Sequence, residues 1–278
     1  MFIPDGIQSN FISIDGIKLH YLCAGQGETV LLLHGWPTSA FLYRNMILPL
    51  SEKHQVIAID LPGFGLSEKP SDVSYSLNFY NKIIDHFLTT LKIKKVNLVV
   101  HDLGGPIGLL WAVRHREKIL RLIFLNTLVY KQFSWAVILF TLAAKLPLVK
   151  NWLSSAAGIA FAFKIGVFNQ ENVTPEMLEN YQATFQTRSA RAALLKAATN
   201  VSLKAFDEIE AGLPKFDIPV QLIYGEADRI LPDVAKTMAR LKEDLPQASI
   251  HPLPNCGHFL QEDQPIIISE LILDFLNK

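Results

Sequence analysis

The sequence of 278 residues predicts a mostly parallel, doubly wound α/β sheet with a block of helices inserted after one strand. Short apolar runs such as Thr29–Leu33, Val56–Ile59 and Val96–Val100 read as strands buried on both faces. Stretches with helical spacing separate them, so strand and helix alternate as right-handed crossovers require. From about Thr127 to Leu213 the rhythm breaks and only helices are expected, before a strand returns at Val220.

Taken in order, Phe11–Ile14 and Ile17–Leu22 flank Asp15-Gly16, the turn signal of an antiparallel hairpin. Thr29–Leu33 ends in His34-Gly35-Trp36-Pro37, and Ser39–Leu50 reads as a helix. Val56–Asp60 runs into Leu61-Pro62-Gly63-Phe64-Gly65-Leu66-Ser67, a loop rich in turn residues. Leu77–Leu91 repeats apolar residues at helical intervals. Val96–Val100 and the apolar stretch Ile107–Val113 follow, then Leu122–Leu125 ending at Asn126. In the inserted block, Phe133–Val149 and Trp152–Phe168 are almost wholly apolar, whereas Pro175–Ala198 is amphipathic. Val220–Tyr224, a helix from Asp233 to about Glu243, a short strand near Ile250 and a last helix complete the chain. The expected division is a core of residues 1–126 and 214–278 with a helical cap over 127–213.

The stretch around Asp102 is the centre of this arrangement. A strand runs into Asp102, and Gly104 and Gly105 open the following helix at once. Small residues there let helix and strand approach closely, and the turn lifts one side chain above the sheet edge. An aspartate at that point suits an N-cap as well as a nucleophile, and the window alone leaves both open. Asp228 and His258 fall at two further strand ends, on the edge where open α/β sheets carry their chemistry.

Composition narrows the classes. Half of the residues are hydrophobic, 19% are charged and the formal net charge is zero, which argues against disorder and against nucleic-acid binding. Cys23 and Cys256 lie far apart without a metal-ligand pattern, as expected of reduced thiols in a cytoplasmic protein. Met1–Gly6 has no basic stretch followed by an apolar one, so no signal peptide is expected.

Five motifs, His34–Pro37, Asp60–Ser67, Val100–Gly105, Gly225–Asp228 and Gly257-His258, together resemble the α/β-hydrolase superfamily, in its haloalkane dehalogenase and epoxide hydrolase branch. The likeness spans nearly the whole core and implies an Asp–His–Asp triad in the order nucleophile, acid, base. Asp102 would attack a saturated carbon unaided, because its carboxylate is already ionised at neutral pH. His258 would then activate water against the resulting alkyl ester, with Asp228 orienting its ring. The backbone N–H groups of Trp36 and Leu103 would form the oxyanion hole. Asn126 carries no charge, so Asp228 is the expected acid; His34, His101 and Asp60 are expected to orient loops. No metal and no organic cofactor is implied.

The leaving-group partners are less clearly marked. Dehalogenases of this type commonly carry a Trp after the nucleophile, where this chain has Leu103. Trp36, or Trp135 and Trp152 from the cap, would have to supply the indole donor; simple packing is the alternative for the cap pair. Epoxide opening needs an acid for the alkoxide, with Tyr130 and Tyr181 as candidates. The cap is too apolar for a solvated lid, yet Lys145, Pro147, Lys150 and Asn151 interrupt it below the ~20 residues that span a bilayer. A lid over an apolar substrate path is expected, with shallow membrane contact as the lesser reading. Haloalkane dehalogenase-like chemistry on an apolar substrate therefore ranks first. Epoxide or other strained-ring opening, such as that of a β-lactone, ranks second. A non-catalytic binding protein on the same scaffold is the remote alternative, and the oligomeric state is not encoded in any motif.

Overall fold

A computed structural model describes residues 3–278. The hairpin forms as the sequence predicts. Strands β1 (Gln8–Ile14) and β2 (Ile17–Ala24) pair antiparallel, and Asp15 and Gly16 both take positive φ, the conformation of a tight two-residue turn. The remaining strands are β3 (Thr29–Leu33), β4 (Gln55–Ile59), β5 (Val96–Asp102), β6 (Ile119–Thr127), β7 (Val220–Gly225) and β8 (Ser249–Leu253). All eight join one sheet in the order β1-β2-β4-β3-β5-β6-β7-β8, parallel from β4 to β8. β3 and β5 are buried along their whole length because helices cover both faces of the sheet, which is why they lack apolar–polar alternation.

Helices Arg44–Ser51 and Pro265–Leu276 pack together, while Gly104–Arg114 packs against Leu77–Thr90 and Leu203–Gly212. The last contact is tight, because a Cβ on Gly212 would meet Val113 at 2.6 Å. Leu203–Gly212 thus packs directly on the helix that follows Asp102. Residues 135–199 hold five α-helices: Trp135–Ala143, Pro147–Leu153, Ala156–Gly166, Pro175–Gln182 and Arg188–Thr199. Ser134, Ser155, Thr174 and Thr187 each cap one of them through a side-chain oxygen. Among the described residues no single helix is long and apolar enough to cross a membrane; Trp135–Ala143 and Pro147–Leu153 reach that length only as a pair bent by 111°.

Candidate active site

Asp102 ends the central strand β5 with φ +48°, a left-handed conformation that a non-glycine residue keeps only when its surroundings hold it there. The register with β6 shifts at this point, and Thr127 Oγ1 donates to the Asp102 carbonyl at 2.7 Å. Gly104 follows where a Cβ would press to 2.5 Å from the Leu33 carbonyl oxygen, so the turn can be this sharp only with glycine there. The outcome is a carboxylate raised at the strand end.

The backbone N–H of Trp36 donates to Asp102 Oδ1 at 2.6 Å, and the Leu103 N–H supports the same carboxylate. Asp102 Oδ2 faces His258 Nε2 at 3.4 Å, within ion-pair range but beyond a good hydrogen bond. The other ring nitrogen, Nδ1, meets Asp228 Oδ2 at 2.9 Å. Asp228 is in turn fixed by the N–H groups of Ile230 and Leu231 at 2.8 and 2.7 Å and by Asn126 Nδ2 at 2.7 Å. The three ionisable residues singled out in the sequence are therefore brought into one line.

Burial alone would lower the His258 pKa, but the flanking carboxylates, Asp228 first, push it up to about 10. Burial likewise would raise Asp102 and Asp228; the imidazole and the N–H donors outweigh it and hold both below their usual values. The two flanking carboxylates thus favour the protonated ring. His101, driven down to about 3 by burial and then by His258, stays neutral and binds the His258 carbonyl at 2.9 Å. His34 bridges the Gly35 carbonyl and the Leu61 N–H. Asp60 accepts from the Ala40 and Leu66 N–H groups and meets His20, tying the loop after β4 to the core.

Above Asp102 lies a cavity of about 260 Å³, walled mainly by apolar side chains such as Phe133, Val137, Phe140 and Ile165. Trp36 lines it, and its indole N–H is buried without a partner. The other leaving-group candidates lie elsewhere. The Tyr130 hydroxyl donates to Asp244 at 2.6 Å under the guanidinium of Arg240. The Tyr181 hydroxyl donates to Glu262 at 2.7 Å and its ring stacks on Phe163. Trp135 and Trp152 are exposed and neither lines the cavity; the inward positions of the first helix are taken by Ala136, Val137 and Phe140. Helical spacing could not tell the inner face of a helix apolar all round from its outer one.

Two residues at the site lacked an assigned role in the sequence. Asn126 joins β6 to the Asp228 loop, also accepting from the Gly225 N–H at 2.9 Å. Among the described residues Arg229 is the only basic one lining the cavity, and it makes no ion pair with any of them. Its adjacency to Asp228 was the one available signal.

A strand-end carboxylate in a backbone N–H pair, a histidine and a second acid after later strands are what a matching family model, described as the alpha/beta hydrolase fold, covers over residues 28–265. The chain belongs to the α/β-hydrolase fold family. It is 34% identical over 272 residues to a cis-3-alkyl-4-alkyloxetan-2-one decarboxylase of Shewanella oneidensis, with 91% of this chain and 83% of that protein covered. Haloalkane dehalogenase 2 of Mycobacterium bovis is 28% identical, covering 98% of both chains. A solved epoxide hydrolase, 23% identical, shares the fold with a TM-score of 0.83 over 98% of this chain and 99% of its own. Haloalkane dehalogenases and epoxide hydrolases are thus among the proteins to which this α/β-hydrolase-fold enzyme is similar.

Proposed function

We propose that Asp102 attacks a saturated carbon of an apolar molecule and becomes an alkyl ester, and that the electrophile is a strained cyclic ester of the β-lactone class. The observation that carries this reading is the make-up of the cavity: a poised carboxylate among apolar walls, with no tyrosine hydroxyl and with Arg229 as its cation. Attack forms the Asp102 oxygen–carbon bond and breaks the ring carbon–oxygen bond, whose electron pair leaves as a carboxylate. That anion is stable at neutral pH and needs no proton donor, unlike the alkoxide of an opened epoxide. Arg229 is suited to hold it.

Two fates are open to the ester. In hydrolysis, His258 takes a proton from water, the oxygen adds to the Asp102 carbonyl carbon, and the oxyanion rests on the Trp36 and Leu103 N–H groups; its collapse breaks the bond to the alkoxy oxygen, which takes the proton from His258 and leaves as an alcohol. Ester formation prepares His258 for this, since it removes one of the two carboxylate charges that raise its pKa, so the ring releases its proton to solvent before it acts as the base. In elimination, the new carboxylate leaves as carbon dioxide, its bonding pair becomes a carbon–carbon double bond, and Asp102 departs as a carboxylate. The name of the Shewanella relative supports this second fate. Halide displacement is the other reading, favoured by the unpartnered indole N–H of Trp36 on the cavity wall. The helices between residues 127 and 202 serve as the lid in every case. The free thiols of Cys23 and Cys256 support a reducing, cytoplasmic setting.

The test is a single turnover in heavy-oxygen water with a dialkyl β-lactone, run beside a panel of haloalkanes and epoxides. Alkene and carbon dioxide with unlabelled Asp102 indicate elimination; label in Asp102 indicates hydrolysis. The Asp102→Asn variant is expected to lose about a thousandfold or more in turnover. Unchanged turnover in that variant would remove the nucleophile reading, and halide release without β-lactone consumption would replace the substrate class.

A further inference from the structure

The lid helix Trp135–Ala143 is apolar on both sides. Ala136, Val137 and Phe140 face the cavity, whereas Trp135, Ile138, Leu139 and Leu142, spaced as one helical face, are exposed. Trp135 is 68% exposed, and the apolar surface continues through Leu146 and Leu148, the latter at 85%. A soluble helix normally turns a polar side to water, so a continuous exposed face of this kind marks a docking surface.

Charge identifies the occupant. The chain is neutral overall, yet residues 127–170 hold four lysines and no Asp or Glu. Of these, Lys131 pairs with Asp207, while Lys145, Lys150 and Lys164 are exposed and make no ion pair among the described residues. Beside the apolar face, Lys150 shares a groove with Arg188, Arg191 and Lys196. A second copy docked through the same face would set lysine against lysine about a two-fold axis. A bilayer of anionic lipids satisfies both features, accepting the side chains into its acyl boundary and the cations among its phosphates. The 111° bend between Trp135–Ala143 and Pro147–Leu153 suits segments lying in the interface, with their indoles at headgroup depth.

We infer that the outer face of helices Trp135–Ala143 and Pro147–Leu153 docks on an anionic membrane surface. The cavity then lies one helix away from the bilayer. This placement does not depend on what reacts at Asp102, and its test uses no substrate.

The full chain is sedimented with vesicles of phosphatidylcholine alone and with about one-third phosphatidylglycerol added, while tryptophan emission is recorded. Binding to the anionic vesicles is expected, several-fold weaker to the neutral ones, with a blue shift that Trp135→Phe with Trp152→Phe abolishes. Lys145→Glu with Lys150→Glu, and separately Leu139→Ser with Leu142→Ser, should each weaken binding about tenfold. All these positions are exposed, and far-UV circular dichroism checks that each variant is folded. Absence of binding by the folded chain overturns the inference. So does self-association in solution that the Leu139→Ser and Leu142→Ser pair abolishes, which would assign the face to a second copy.

Discussion

The two halves of the helical block after β6 are built differently. The half made by Ala156–Gly166 and Pro175–Gln182 is clamped to the core. Phe163 stacks between Tyr181 and Phe259, with ring centroids at 4.4 and 4.5 Å, and Phe259 in turn abuts His258. Tyr181 also reaches Glu262, which Arg44 grips through two contacts of 2.7 Å. The other half, Trp135–Ala143 and Pro147–Leu153, contains no buried residue. One half thus fixes the geometry around His258, and the other covers the cavity with few ties. The difference teaches that one inserted block can hold the Asp102–His258–Asp228 line still while leaving its cavity side free to move, since local opening costs least where few apolar contacts are buried.

The sharpest way to break the clamped half is to remove Arg44. Its guanidinium side chain is 14% exposed and its partner carboxylate only 2%, so Arg44→Met leaves Glu262 buried without its cation. A loss of about 3 kcal/mol in unfolding free energy is expected from denaturant titration. A change below about 1 kcal/mol would mean that the pair does not clamp this half of the helical block. Tyr181→Phe is the gentler cut. It keeps the ring stack and removes one hydroxyl donor, so about 1 to 1.5 kcal/mol is expected in the same titration, with Arg44 still paired.

Legibility in the sequence followed the same division. The core strands were readable because burial on both faces leaves uninterrupted apolar runs, and β3 through β7 lie where Thr29–Leu33, Val56–Ile59, Val96–Val100, Leu122–Leu125 and Val220–Tyr224 mark them. The line Asp102–His258–Asp228 was readable because each member ends or follows a strand, next to glycine or a short polar loop. The partners of Tyr130 and Tyr181 were not, since Asp244 lies 114 residues from Tyr130 and Glu262 lies 81 from Tyr181. Nothing local encodes pairs formed across such distances.

The smallest expected effect sharpens the contrast from the free side. Leu139 is 58% exposed on the outer face of Trp135–Ala143, so replacing it removes little packed surface. In water Leu139→Ser should shift the unfolding free energy by no more than about 0.5 kcal/mol, the range of an ordinary surface substitution. Some of that shift comes from the slightly poorer helix propensity of serine rather than from lost contacts. The measurement is the denaturant midpoint at constant slope, taken beside Tyr181→Phe under identical conditions. If Leu139→Ser proved as costly as Tyr181→Phe, the outer face would have to be packed against something in solution, and the two halves of the helical block would no longer differ in kind.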